Sequence, residues 1–285
     1  MQPVWAQDDG SRAYLLVPDG TRAVTVQGIL EDSNQSLDPG LVIPDGKLKL
    51  RIALPQYTQT FSIAGQQAAA FAILPVGTVK GSLDLPTGTV SGDSGGIGDL
   101  ILGTAIGIVG SPALDTPSYV KFQPGFALGI LGKAYVPTGE YSSSKVLNLG
   151  ANRWAFQLGV PMNYALGDSL IDPARTTFEL TPAVMFFTDN GPNSQKPLFT
   201  IEGHVAHNLS SRVWISADAR ARFGAETSTD GISANNAQSA LALGGTVGFS
   251  VTQSLQLKAT YGGIVTHNKD GPNGQMFRMA LVFVL

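Results

Sequence analysis

Three histidines, His204, His207 and His267, are the first candidates for chemistry in this chain. Glu202 and His204 are two residues apart, so in a strand they share a face and form a conceivable acid–base pair. A hydrolase would add a serine within hydrogen-bond reach of that base. Ser210, Ser211 and Ser216 lie nearby, but none sits in a nucleophile motif. Gly92-Asp93-Ser94-Gly95-Gly96 has the glycines of a phosphate cradle, yet no Lys-Ser or Lys-Thr pair follows and no helix begins there. Asp189, Glu226, Asp230 and Asp270 lack the dense spacing of a divalent-cation loop. With no cysteine, thiolate metal sites and disulfides are excluded. The expectation is no catalytic residue, no metal and no cofactor.

A second constellation is more informative. Lys49, Arg51, Lys121, Lys133, Arg220, Arg222, Lys258 and Arg278 fall on the polar side of alternating stretches. Glu179, Glu202, Asp218 and Asp99 are available as partners, and His204 joins them. Fully paired, such groups would fill and close a narrow barrel, whose interior holds mostly side chains. Incompletely paired, the basic excess would form a positive constriction favouring anions such as aromatic carboxylates. Gly103, Ala105, Gly107, Gly129, Gly244 and Gly248 on the same side leave space for a narrow path. Lys49, Arg51, Lys121, Lys133, Glu179, Glu202, His204, Asp218, Arg220, Arg222, Lys258 and Arg278 are therefore the expected lumen-lining set.

The elements that must position these groups are clearest in residues 240–285. Leu241, Leu243, Val247, Phe249 and Val251 oppose Ala242, Gly244, Thr246, Gly248 and Ser250. After Thr252-Gln253-Ser254, Leu255, Leu257, Ala259, Tyr261 and Val265 oppose Gln256, Lys258, Thr260, Gly262 and Thr266. Phe277, Met279, Leu281, Phe283 and Leu285 then oppose Arg278, Ala280, Val282 and Val284. Side chains of a strand alternate between faces. Strands of about 9–11 residues, apolar on one face and small or polar on the other, are the signature of an outer-membrane barrel. A charge on the lipid side would cost several kcal/mol at mid-membrane, so parity and energetics agree that the charges point inward.

Composition fits. Only 14% of the 285 residues are charged and 34 are glycine, yet no apolar run approaches the ~18–20 residues of a spanning helix. The net charge of −3 argues against a generally basic nucleic-acid binder. Met1-Gln2-Pro3-Val4-Trp5-Ala6-Gln7 reads as the start of a mature chain whose export signal has been removed. Residues 1–20 have weak periodicity and turn chemistry at Asp8-Asp9-Gly10 and Pro18-Asp19-Gly20. They are expected to form a periplasmic segment or a plug, with the barrel over residues 21–285.

Further strands are expected around Val24 to Leu30, Leu48 to Leu54, Ala68 to Ser82, Leu100 to Ile108 and Val120 to Val136. Others follow around Trp154 to Tyr164, Phe178 to Phe186, Phe199 to Val205 and Val213 to Arg222. Leu48, Leu50, Ile52 and Leu54 are read as lipid-facing, and Pro75 makes the third segment the most irregular. A Gly-rich loop is expected from Pro86 to Gly96. Long and short connections alternate, as extracellular loops and periplasmic turns do. Trp154, Tyr164, Phe187, Trp214 and Tyr261 are candidates for interfacial aromatic girdles. The fold class is an all-β, transmembrane, antiparallel up-and-down β-barrel of about twelve strands.

Several phrases resemble a known family. Gly96-Ile97-Gly98-Asp99-Leu100, Val136-Pro137-Thr138-Gly139-Glu140-Tyr141, Leu149-Gly150-Ala151-Asn152-Arg153-Trp154 and Glu179-Leu180-Thr181-Pro182 resemble the outer-membrane transporter family of the MetA, or meta-cleavage, pathway of phenol degradation. The resemblance runs over roughly 95–285, and Pro18-Asp19-Gly20-Thr21 also fits. It implies a monomeric barrel of about twelve strands that helps small, often aromatic, compounds cross the outer membrane. The family has no catalytic residues to carry over. This chain departs from barrel habit by ending Phe283-Val284-Leu285 rather than in Phe.

The expected function is an outer-membrane channel for passive uptake of small molecules, hydrophobic or aromatic compounds among them. Its expected surroundings are outer-membrane lipid and lipopolysaccharide, with a small-molecule solute and no nucleic acid. A lipid-modifying outer-membrane enzyme and a closed structural barrel are the alternatives.

Overall fold

The computed structural model describes residues 9–85 and 88–285. The chain forms β1 Arg22–Ser33, β2 Lys47–Ile63, β3 Gln66–Ile73, β4 Val76–Leu85, β5 Gly88–Ile97 and β6 Leu100–Val109. A short helix, α1 Thr116–Lys121, precedes β7 Phe126–Val136, β8 Ala155–Gly159, β9 Met162–Leu166 and β10 Thr176–Phe187. There follow β11 Asn193–Gln195, β12 Leu198–Asn208, β13 Val213–Gly224, β14 Thr227–Thr229 and β15 Ile232–Ser233. The last three strands are β16 Gln238–Ser250, β17 Leu255–His267 and β18 Gly274–Val284.

Three crossings of the wall are each made of two strand segments. β3 continues into β4 through Leu74-Pro75, β5 into β6 through Gly98-Asp99, and β8 into β9 through Val160-Pro161. Each interruption carries a proline or a glycine, residues that remove a ladder donor or loosen the strand. Among the described residues, twelve antiparallel crossings result. They close because β1 pairs with both β18 (Val26 opposite Leu281) and β2 (Val26 opposite Pro55). Closure leaves no sheet edge in hydrocarbon, where an unpaired backbone group would cost several kcal/mol. The small strands β11, β14 and β15 form a separate sheet in the long connections.

Both ends of the wall, near Arg22 and Val284, lie beside the tight turns Ala64-Gly65 and Val251 to Ser254, which marks the periplasmic side. The long connections 34–46, 137–154, 188–197, 225–237 and 268–273 gather at the opposite, extracellular rim. The β4–β5 hairpin continues the wall in that direction. Leu30, Ile130, Phe156, Leu158, Phe178, Leu243, Val247 and Met279 are exposed on the outer face, giving a lipid-facing belt. Trp154, Tyr164 and Tyr261 also point outward, as girdle residues should.

The structure differs from the sequence reading in several places. The stretch 88–97 is a paired strand rather than a loop. Residues 120–125 do not extend β7. Asp115 caps α1 by accepting from the Ser118 N–H at 2.9 Å, and Pro124-Gly125 keeps the chain out of the sheet until Phe126. Trp214 is buried inside the barrel instead of joining a girdle, and Phe187 is half-buried against Arg153. The face of β2 is reversed from the reading, and Leu54 too faces the interior. Leu48, Leu50 and Ile52 are buried with Ile29, Val79, Leu147, Leu149 and Met276 in a small apolar core inside the rim. Lys47, Lys49 and Arg51 are left on the outer wall.

Met279, halfway along β18, tests the lipid-facing assignment. Met279→Arg is expected to cost about 2–4 kcal/mol of folding stability in bilayers, while Lys49→Ala stays within about 0.5 kcal/mol. Equilibrium denaturant unfolding into vesicles measures both.

Candidate functional site

The barrel interior is organised around residues 9–17, which leave it at the periplasmic end. The Asp19 N–H donates to Leu114 O at 2.7 Å, and Thr60 Oγ1 donates to Pro18 O at 3.2 Å, tying the segment's exit to the rim. Val17 N–H donates to Gln67 Oε1 at 2.9 Å. Deeper inside, the Arg12 N–H donates to Glu179 Oε2 at 2.8 Å and its guanidinium to Asn208 Oδ1 at 2.7 Å. The same guanidinium lies 4.4 Å from the centre of the Trp214 ring. Asp9 pairs with buried Lys133 and accepts from the Tyr14 hydroxyl at 2.5 Å. Gly10 takes a left-handed conformation (φ +76°) that favours glycine, with the Arg278 guanidinium directly against it.

The wall supplies the partners of this segment by strand parity. Lys133 of β7, Glu179 of β10, Glu202 and His204 of β12, Asp218, Arg220 and Arg222 of β13, Lys258 of β17 and Arg278 of β18 all face inward. Lys49, Arg51 and Lys121 do not. Lys49 and Arg51 sit on the outer wall because the rim core claims their neighbours Leu48, Leu50 and Ile52, and Arg51 pairs there with Asp32 at 3.1 Å. Lys121 is exposed at the end of the periplasmic helix.

Glu202 and His204 each meet a residue of β13. Glu202 meets Arg220 at 3.2 Å, whereas His204 Nδ1 meets Asp218 at 2.8 Å. Ser216 and Thr246 donate to the same Asp218 carboxylate at 2.7 and 2.6 Å. The neighbouring serine therefore serves the acid rather than the imidazole.

The extracellular mouth is narrowed by residues 34–41, which are held by two arginines and two glutamines. Arg153 holds Asp38 at 2.8 Å and Gln195 at 2.5 Å. The fully buried Arg222 donates to Pro39 O (2.8 Å), Gln35 Oε1 (3.1 Å) and Gln238 Oε1 (2.5 Å). Gln195 and Gln238 both donate to Gly40 O, at 2.7 and 2.8 Å. Loop groups beyond the membrane are also fixed. Lys196, and then Ser233, bond Glu226 and hold its carboxyl below its usual range. On the periplasmic side, the N–H groups of Ala174 and Asp168 do the same for Asp172.

Between the inner segment and the wall lies a cavity of about 380 Å³ that touches both rims. Asp38, Leu149 and Arg153 border it outside, and Thr58, Thr60 and Val284 at the periplasmic end. One wall, from β1 to β3 and β6, is uncharged, with Thr25, Gln27, Leu54, Phe71, Ile73 and Ile101. Asp9, Arg12, Asp38, Arg153 and Trp214 were not foreseen as interior groups. The Asp8-Asp9-Gly10 run marked a turn, but turn chemistry does not say which side of a wall a turn occupies.

Arg222→Met removes the donors to Pro39, Gln35 and Gln238 while keeping a long apolar side chain. Hydrogen exchange of residues 34–43 is expected to accelerate at least about tenfold, because each buried acceptor left unsatisfied costs about 1–3 kcal/mol.

The sequence matches the family described as the MetA-pathway of phenol degradation over residues 25–277. Among solved structures, an outer membrane channel from Pseudomonas putida F1 aligns over 98% of this chain and 100% of its own, at TM-score 0.79 and 19% identity. The KdgM porin aligns over 92% of this chain and 98% of its own at TM-score 0.47 and 6% identity. The CymD monoaromatic hydrocarbon channel covers 94% and 88% at TM-score 0.42 and 7% identity. The first shares the fold; the other two are too distant to carry an argument. No curated protein matches the chain significantly.

Proposed function

The chain belongs to the MetA-pathway family of phenol degradation, and on that premise we propose that it is an outer-membrane channel for passive uptake of small, largely apolar molecules. One observation carries the reading: the interior holds a cavity whose lining reaches both rims, with an apolar and uncharged wall from β1 to β3. A volume of about 380 Å³ is that of a small-ligand pocket rather than a water-filled porin lumen. Leu54, Phe71, Ile73 and Ile101 give an apolar solute dispersion contacts along this wall. Thr25, Gln27, Gln56 and Thr58 supply hydrogen-bonding groups without a charge to be desolvated, the last three linked to one another through Gln56.

Residues 9–17 act in this reading as an internal plug that sets the bore. They are held by hydrogen bonds and one buried ion pair, not by a continuous strand pairing with the wall. The inner groups thus bind, orient and restrict a solute; none is required to break a bond.

Two measurements test the proposal. Liposomes carrying the purified chain are expected to admit toluene-sized neutral solutes faster than protein-free vesicles, and planar bilayers to show small conductance steps. Deleting residues 1–20 is expected to raise that conductance severalfold, since pore conductance grows with open cross-section. No flux and no conductance from the folded chain reject the channel reading, and unchanged conductance on deletion rejects the plug.

A further inference from the structure

We propose that the outer wall carries a lipopolysaccharide-binding site at the extracellular ends of β2 and β4, in which Lys49 and Lys80 hold a phosphate of the lipid A headgroup. The inference is independent of the channel reading and rests on the placement of the wall in the outer membrane.

Basic side chains on the outward face of the wall are unevenly placed. Lys47, Lys49 and Arg51 of β2 and Lys80 of β4 lie towards the extracellular end, whereas Arg22 of β1 is at the periplasmic end. The strand register arranges this sector in rows. Its last apolar row on the lipid side is Ala53, Val76 and Ile97, and Arg51, Thr78 and Gly95 form the next. Asp32, Lys49, Lys80 and Asp93 follow, directly opposite one another on β1, β2, β4 and β5. Four residues along strands tilted by about 35–45° place this row roughly 10 Å beyond the last apolar one, where a flexible lysine reaches headgroup phosphates.

Two of the outward acids here are already engaged. Arg51 pairs with Asp32 at 3.1 Å and Lys47 with Asp84 at 2.7 Å. Among the described residues, Lys49 and Lys80 form no ion pair and no side-chain hydrogen bond, and neither does Asp93 on the far side of Lys80. Directly opposite residues of an antiparallel pair have Cβ atoms about 4.5–5.5 Å apart, and like charges in that position destabilise the sheet. A phosphate seated between the two ammonium groups turns that repulsion into attraction, since it carries about −1.5 to −2 charges at pH 7 and accepts from both. Lipid A presents such a phosphate on an apolar anchor. Its acyl chains lie over the exposed Val76 and Ile97 while the headgroup meets the lysines. Each basic residue close to an anionic lipid surface strengthens binding about fivefold, so the pair gives more than tenfold together.

Native mass spectrometry of the full chain, released from a non-ionic detergent and titrated with bisphosphorylated lipid A, tests the site. One lipid A is expected to stay bound, with an affinity about tenfold above that for lipid A stripped of its phosphates. Lys49→Gln combined with Lys80→Gln should remove most of that preference. Asp93→Asn should strengthen binding severalfold by removing a repelling carboxylate, and Arg22→Gln at the periplasmic end should leave it unchanged. Heat-modifiable electrophoretic mobility confirms that each variant folds. Equal affinity for the two lipids, or a preference that survives the double substitution, overturns the site. Inorganic phosphate that competes as well as lipid A at equal concentration rejects a lipid as the occupant. Each of these results leaves the channel reading standing.

Discussion

Hydrocarbon offers no hydrogen-bond partner, and that single constraint shapes the molecule. Every backbone group at membrane depth must be paired within the wall, so β1 has to bridge β2 and β18 and the sheet has to close. Closure then forces each strand to have one lipid-facing and one interior half. The interior half must accept whatever the outer half rejects. Lys133, Glu202, Arg220, Arg222, Lys258 and Arg278 are inside because the alternative position for each would be lipid.

Once inside, the charges need partners of their own, and a ring of strands cannot provide them all. Residues 9–17 and 34–41 bring the missing groups. The first carries Asp9 to Lys133 and its own N–H to Glu179; the second carries Asp38 to Arg153 and carbonyls to Arg222. Charge satisfaction and narrowing of the interior are therefore the same structural act. The region left open lies along β1 to β3, where the interior residues are Thr, Gln, Ala and apolar side chains that need no such neutralisation.

How much of this was legible in the sequence follows from where each signal originates. The strands β16, β17 and β18 were readable because lipid and lumen impose a period of two on neighbouring residues. The same period in β2 separates its residues into two faces but does not say which face is out. Leu48 and Leu50 turn inward because Leu147 and Leu149, about a hundred residues away in sequence, cover them at the rim. Trp214 looks like a girdle residue until its neighbour is known to be Gly248, whose missing side chain makes room for the ring. Lys121 was misplaced because Pro117 and Asp115 start a helical turn within what alternation read as strand. The inner segment has only weak periodicity. Its position depends on single contacts from β7, β10 and β17, which only the folded wall assembles.

The account depends most on which environment each strand face meets. Site-directed spin labels placed singly from 242 to 249 in β16 and from 48 to 55 in β2, in lipid vesicles, measure this directly. Accessibility to dissolved oxygen should peak at 243, 247 and 249, and labels at 48, 50 and 52 should be shielded from both oxygen and a water-soluble nickel complex. Oxygen accessibility without a two-residue period in β16, or lipid exposure at 48 and 50, would contradict the wall and the interior built from it.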